Sequence, residues 1–140
     1  MTAKEKATAI VDQMMAKDHY SQWLGVERIE DGVGISVLKM TIRKEMLNGF
    51  GIAHGGISFS FADSAFAFAS NSHGRHAVSI ETSISHTKSL QEGDTILAYA
   101  KEENLSNKLG IYSVTVQKED GEVVALFKGT VYRTSRAWEV

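Results

Sequence analysis

The stretch HGGISFSFADSAFAFASN, residues 54–71, decides how the rest of the chain must be arranged. It is rich in Ala, Phe and Ser, and Ile57 is its one β-branched residue. Its 18 residues make a helix of roughly 27 Å. Ile57, Phe59, Phe61, Ala62, Ala65, Phe66, Ala67, Phe68 and Ala69 leave almost no side of that helix without an apolar residue. A helix that is apolar all round is a buried one, and a buried helix needs something to wrap it.

The flanking sequence supplies the wrapping. Residues 3–17 place Ala7, Ile10, Val11 and Met14 at helical spacing and read as an amphipathic lead helix. Residues 24–30 and 34–42 read as two strands joined by an Asp31-Gly32 turn. From His76 the pattern has period two, with Val78, Ile80 and Ile84 on one face and Ser79, Glu81, Ser83 and Ser85 on the other. Three more strand-like runs follow at 95–102, 109–118 and 122–133, the last two joined by Asp120-Gly121. Strands joined by short turns pair antiparallel. The expected fold is therefore α+β, a curled antiparallel sheet of five or six strands around the central helix, with residues 1–140 forming one domain.

Composition narrows the chemistry. The 140 residues contain no Cys and no Pro. A thiol nucleophile, a Cys-ligated metal and a disulfide framework are excluded together. The five His form no ligand pattern, and no metal site is expected. A net charge of −2 gives no whole-molecule attraction to nucleic acid or anionic lipid. No segment reads as a signal peptide or a membrane span, so a cytoplasmic protein is expected.

Asp63 is the one ionisable residue between His54 and Asn71. Burying a carboxylate without a counter-charge is costly or raises its pKa, which invites a functional explanation. The plainer alternative is a partly solvated Asp held by Ser60 or Ser64. His54-Gly55-Gly56 opens the same helix, where free N–H groups and the positive dipole end suit a carbonyl becoming an oxyanion. Nine residues separate His54 from Asp63, about 13.5 Å of rise and about 900° of rotation, so the two face opposite ways. If both act on one small group, the oxyanion donors must come from a second copy, which predicts an active site across a two-fold interface. Asn48 reads as a turn residue ahead of Gly49, and Ser79 as a strand serine able to hold a water. A triad of Ser58 or Ser60 with His54 and Asp63 lacks the Gly-x-Ser-x-Gly elbow.

Met46-Leu47-Asn48-Gly49, His54-Gly55-Gly56, Ala62-Asp63-Ser64-Ala65-Phe66-Ala67, Asn71-Ser72 and Ala125-Leu126-Phe127-Lys128-Gly129 follow one another in this chain. In order and spacing, over roughly residues 20 to 135, they resemble the hotdog-fold acyl-CoA thioesterases of the PaaI, phenylacetic acid degradation type. The resemblance implies hydrolysis of aryl-acyl-CoA by dimers paired into homotetramers. It assigns the catalytic carboxylate to Asp63, the oxyanion N–H to Gly55, and supporting contacts to Asn48, His54 and Ser79. Coenzyme A is then part of the substrate, and no separate cofactor is implied.

Where many relatives carry an aromatic residue, a basic residue and Pro before a Gly-Asp pair, this chain has His86-Thr87-Lys88-Ser89 before Gly93-Asp94. Lys88 retains the base and Ser89 replaces the Pro. Lys88, Arg75, Lys108 and Arg133 are the candidates for the CoA phosphates. The acyl pocket would draw on Phe59, Phe66, Phe68 and Ile52. Two other readings use the same residues: a hotdog hydratase or dehydratase with His54 and Asp63 converging beside the carbonyl, and a non-catalytic acyl-CoA binding module. A pure binding site has no reason to place Asp63 in an apolar helix near an anionic ligand.

Overall fold

The structure is a computed structural model that describes residues 1–140. Helix α1, Ala3–Lys17, begins at a capping box in which Thr2 and Glu5 satisfy each other's backbone N–H groups. It buries Ala7, Ile10 and Val11, three of the four residues expected on its inner face. A second helix, α2 at His19–Leu24, follows at once, capped by Asp18 through the N–H of Ser21. Leu24 therefore ends a helix and does not begin a strand, which starts instead at Glu27.

Strands β1, Glu27–Gly32, and β2, Ile35–Thr41, form the expected hairpin. Gly32 pairs with Ile35, so the turn lies at Val33 and Gly34 and not at Asp31-Gly32. Gly34 has φ +73° and Val33 does not, so Gly34 is the left-handed second residue that a type II turn takes and a side chain resists. After a short 3-10 turn at Lys44–Met46 comes the central helix α3, Gly55–Asn71, with His54 as its N-cap. Strands β3, Arg75–His86, β4, Thr95–Leu105, β5, Leu109–Lys118, and β6, Val123–Ala137, complete one antiparallel sheet in the order β1-β2-β4-β5-β6-β3. Six strands wrap α3, as expected.

Phe61, Phe66 and Phe68 of α3 are fully buried with Leu38, Ile96, Tyr112, Val114 and Phe127 from the concave face of the sheet. Phe66 packs so closely that a Cβ on Gly129 of β6 would lie 2.6 Å from its ring. The helix is not sealed on every side, however. Gly56, Ser60, Asp63 and Ala67, spaced four, three and four residues apart, form a stripe that stays partly open.

Strand β3 departs from simple alternation. Ser79 pairs with Val131 of β6 but Glu81 pairs with Thr130, which leaves Ile80 as the extra residue of a bulge. The bulge changes the parity of the strand. Ser79 faces the helix side with Val131, and beyond the bulge Ile84 and His86 face that side opposite Phe127 and Ala125. Val78 is turned outward with Glu81, Ser83 and Ser85, so the expected grouping of Val78 with Ile84, and of Ser79 with the other polar residues, is corrected. Val78 and Ile80 are 53% and 58% exposed on a strand whose other edge is unpaired.

Candidate active site

The N-terminus of α3 is held by the loop before it. The N–H of His54 donates to the Met46 carbonyl at 2.9 Å, and that of Ala53 to the Leu90 carbonyl at 2.8 Å. Between them Asn48 folds the loop: its Oδ1 accepts from the N–H groups of Phe50, at 2.9 Å, and Ile52, at 3.4 Å. Asn48 is thus a turn residue, as its place before Gly49 suggests, while its Nδ2 has no partner in the chain. The ring of His54 caps the helix, with Nδ1 accepting from the N–H of Gly56 at 2.8 Å. In the neutral imidazole the proton then sits on Nε2, which points a donor away from the helix.

Gly55 contributes the first N–H of α3, and that N–H is uncommitted. It stands at the positive end of the helix dipole, where a developing negative charge is stabilised. A cavity of about 330 Å³ opens beside it, with Asn48, Gly55, Ser58, His86 and Lys88 among its walls. Of the residues expected at the site, it gathers Asn48, Gly55 and Lys88. His54, Asp63 and Ser79 lie outside its lining.

The residues absent from the sequence-based site are Ser58 and His86. Ser58 Oγ lies 3.2 Å from His86 Nδ1, and a Cβ on Gly55 would sit 3.3 Å from His86 Nε2. The lack of a side chain at Gly55 makes room for that ring as well as for an approaching acceptor. Period-two reading from Ile84 already puts His86 on the apolar side of the strand, but nothing in that pattern marks its ring as a neighbour of Gly55.

Asp63 occupies the open stripe of α3, nine residues further on. Neither nearby serine holds it: Ser60 Oγ donates to the Gly56 carbonyl at 2.7 Å, and Ser64 Oγ is hydrogen-bonded to Ser21 Oγ at 2.7 Å. Partial burial pushes the Asp63 carboxyl above its ordinary range, and the negative charge of Asp18 adds to the shift. Asp18 is itself anchored, accepting from the Ser21 N–H at 2.9 Å and from Ser21 Oγ at 2.6 Å. A carboxylate with no hydrogen-bonding partner, half-buried and raised in basicity, is equipped to take a proton or to attack a carbonyl.

Residues 50–125 match the profile of the thioesterase superfamily. Escherichia coli acyl-coenzyme A thioesterase PaaI is 35% identical over 91% of this chain and 91% of its own length. The chain belongs to the thioesterase superfamily. The solved structure of the E. coli PaaI protein, from the phenylacetic acid degradation operon, superposes with a TM-score of 0.94 over 97% of this thioesterase and 99% of that chain, at 33% identity. A mutant of the phenylacetic acid degradation protein PaaI from Thermus thermophilus gives a TM-score of 0.81 at 38% identity, over 84% of this chain and 100% of that one. A Streptococcus mutans protein bound to acetyl CoA gives 0.78 at 26%, over 81% and 91%. The fold of this thioesterase is accordingly the hotdog fold, and its type is that of PaaI.

The four basic candidates of the thioesterase divide into two places. Lys88 is on the cavity wall, exposed, with Nζ 3.6 Å from the Glu122 carboxylate. Arg75, Lys108 and Arg133 gather at the β4–β5 turn, past the opposite end of α3. Arg75 donates to the Asn107 carbonyl, Arg133 Nη1 to the Ser106 carbonyl, and the Arg133 N–H to the Lys108 carbonyl. Burial and the neighbouring charge of Arg75 hold the Arg133 guanidinium below its usual range. No group of three His, Asp or Glu side chains is placed to hold a metal ion, and no helix is long and apolar enough to cross a membrane.

Proposed function

We propose that this thioesterase hydrolyses aryl-acyl-CoA of the phenylacetyl or hydroxyphenylacetyl type to the free acid and CoA, at a site shared by two copies of the chain. One observation carries this reading: the uncommitted Gly55 N–H and the unpartnered Asp63 carboxylate lie on one helix but face different ways. A two-fold dimer that sets α3 antiparallel against its copy brings the Gly55 end of one helix to Asp63 of the other. The exposed edge of β3 with Val78 and Ile80 supports that pairing, since an unpaired apolar edge calls for a partner strand.

In the mechanism that follows, the Gly55 N–H holds the thioester carbonyl and stabilises its developing negative charge. Asp63 of the second copy activates a water or attacks the carbonyl carbon directly, and the thiolate of CoA leaves. The Nε2–H of His54, Asn48 and Ser79 support the reacting groups. Lys88 receives phosphate at the mouth of the cavity. The same two-fold that pairs opposite helix ends brings the Arg75, Lys108 and Arg133 cluster of the second copy toward that mouth. Dimers pair into a tetramer, and no cofactor beyond the CoA of the substrate takes part.

The names of the E. coli and Thermus relatives, both tied to phenylacetic acid degradation, support the aryl-acetyl group, and acetyl CoA in the Streptococcus structure supports the thiol. Because the substrate is a CoA thioester, the working compartment is the cytoplasm. Thiol release measured over a panel of aryl and straight-chain acyl-CoAs tests the reading, with phenylacetyl-CoA expected to give the highest kcat/KM. A uniformly inert panel, or an active strict monomer, overturns it.

A further inference from the structure

The resemblance puts an aromatic residue where this chain carries His86, and nothing in the proposed reaction uses that imidazole. The bulge in β3 turns His86 to the helix side of the sheet, opposite Ala125, and brings its ring against the first turn of α3. Ser58, buried in that turn, is bonded to His86 Nδ1 at 3.2 Å and also donates to the Gly55 carbonyl at 3.3 Å. A hydroxyl has one hydrogen. With that hydrogen on the Gly55 carbonyl, as is usual for a serine bonding back within a helix, Nδ1 of His86 is the donor to Ser58 Oγ. Nε2 is left as an acceptor facing the cavity beside the Gly55 N–H. The two imidazoles at this helix end therefore have opposite polarity: His54 offers a donor, His86 an acceptor.

The cavity indicates what that acceptor meets. Its walls are mixed, with Asn48, Ser58, His86 and Lys88 set among Ile52, Ala53 and Leu90. Mixed walls suit an arm that alternates amides with methylenes, and Lys88 stands two residues beyond His86 to meet a phosphate at its far end. We infer that His86 is a specificity-determining residue: its Nε2 accepts a hydrogen bond from the amide N–H nearest the sulfur of the pantetheine arm, selecting thioesters that carry that amide. This rests on the reading of the site as an acyl-CoA thioesterase centre with Gly55 holding the carbonyl.

The test compares two small substrates: the phenylacetyl thioester of N-acetylcysteamine, which has the amide, and that of 1-pentanethiol, in which methylenes replace it. The readout is the ratio of kcat/KM for the first to kcat/KM for the second. His86→Phe, which keeps a ring and removes the acceptor, lowers this ratio about 10-fold, the scale of one lost hydrogen bond. His86→Gln, whose Oε1 can reach the Nε2 position, restores it to within about threefold. Ser58→Ala removes the hydroxyl that fixes the tautomer and lowers the ratio in the same direction by about threefold, which keeps the test decisive should the Phe variant not fold. An unchanged ratio in folded variants overturns the role of His86 and leaves the thioesterase reading standing. A wild-type protein that cleaves neither these thioesters nor acyl-CoA overturns the thioesterase reading itself.

Discussion

The two ends of α3 are built on opposite plans. At the C-terminal end the polar side chains of Ser70, Asn71, Ser72 and His73 are all engaged. Asn71 donates from Nδ2 to the carbonyls of Ala67 and Ala77, and its Oδ1 accepts from the N–H of Ala77 and from Trp138 Nε1. Ser72 Oγ donates to Ala69 and accepts from the Gly34 N–H, and the ring of Trp138 stacks on His76 with centroids 3.9 Å apart. At the N-terminal end the Gly55 N–H and the Asn48 Nδ2 are unengaged, and a cavity stands beside them. Half-way along, Asp63 has a charge and no partner. The helix is tied down at one end so that donors at the other can be held ready for a ligand without collapsing onto each other, which is how preorganised stabilisation works.

The comparison breaks most visibly at Asp63. Asp63→Asn should lower kcat about 10³-fold in a thiol-release assay, the scale expected when a base or nucleophile is removed. Stability should move the other way. A carboxyl whose folded pKa is raised favours the folded state less as pH climbs, because the unfolded chain loses its proton first. The penalty grows as pH rises toward the raised folded value, so at neutral pH the Asn variant melts at the same temperature as wild type or higher. A melting temperature clearly below wild type at pH 7 would show that the charge of Asp63 is structurally held after all.

At the fixed end the consequence reverses. Asn71→Ala leaves two carbonyls, one N–H and the Trp138 indole without their partner and should cost about 2–4 kcal/mol in urea denaturation. Activity per folded molecule should change little. A comparable loss of kcat in the folded fraction would mean that the two ends are not independent.

Gly55→Ala sharpens the picture at smaller scale. The added Cβ would meet His86 Nε2 at 3.3 Å, so the ring has to give way at the mouth of the oxyanion donor. The expected result is a loss of about 10-fold in kcat/KM with little change in melting temperature, since Ala otherwise favours the helix. The smallest effect belongs to Asp18→Asn. Asn also caps helices, so α2 should survive. Losing the nearby negative charge lets Asp63 ionise more easily, and the acid limb of the pH–rate profile should move to lower pH. A limb that does not move, or moves upward, would separate Asp63 from that limb.

Much of this was legible in the residues. The central helix and α1 are long enough for periodicity to speak, and a lone charge among Phe and Ala marked Asp63 directly. The opposed directions of His54 and Asp63 followed from helix geometry alone. What escaped did so for physical reasons. Helix α2 is six residues long, too short to display a stripe, and it is set by the Asp18 cap and tertiary contacts. The β1–β2 turn fell at Val33-Gly34 because the strand pairing, and not the Asp-Gly signal, decides where the chain reverses. Ser58 and His86 meet only through the β3 bulge, which depends on how β6 pairs and leaves no local mark in composition.

That bulge also gives strand β3 a phase. Removing Ile80 would make Ser79 and Glu81 consecutive opposite Val131 and Thr130, so strict alternation would return with Ser79, Ile84 and His86 all still on the helix side. A deletion at Ile80 takes out the bulge alone, whereas a one-residue deletion at Ser83 would turn Ile84 and His86 outward for as long as the bulge persists. Along β3 the number of residues, more than their kind, keeps the inner wall facing inward.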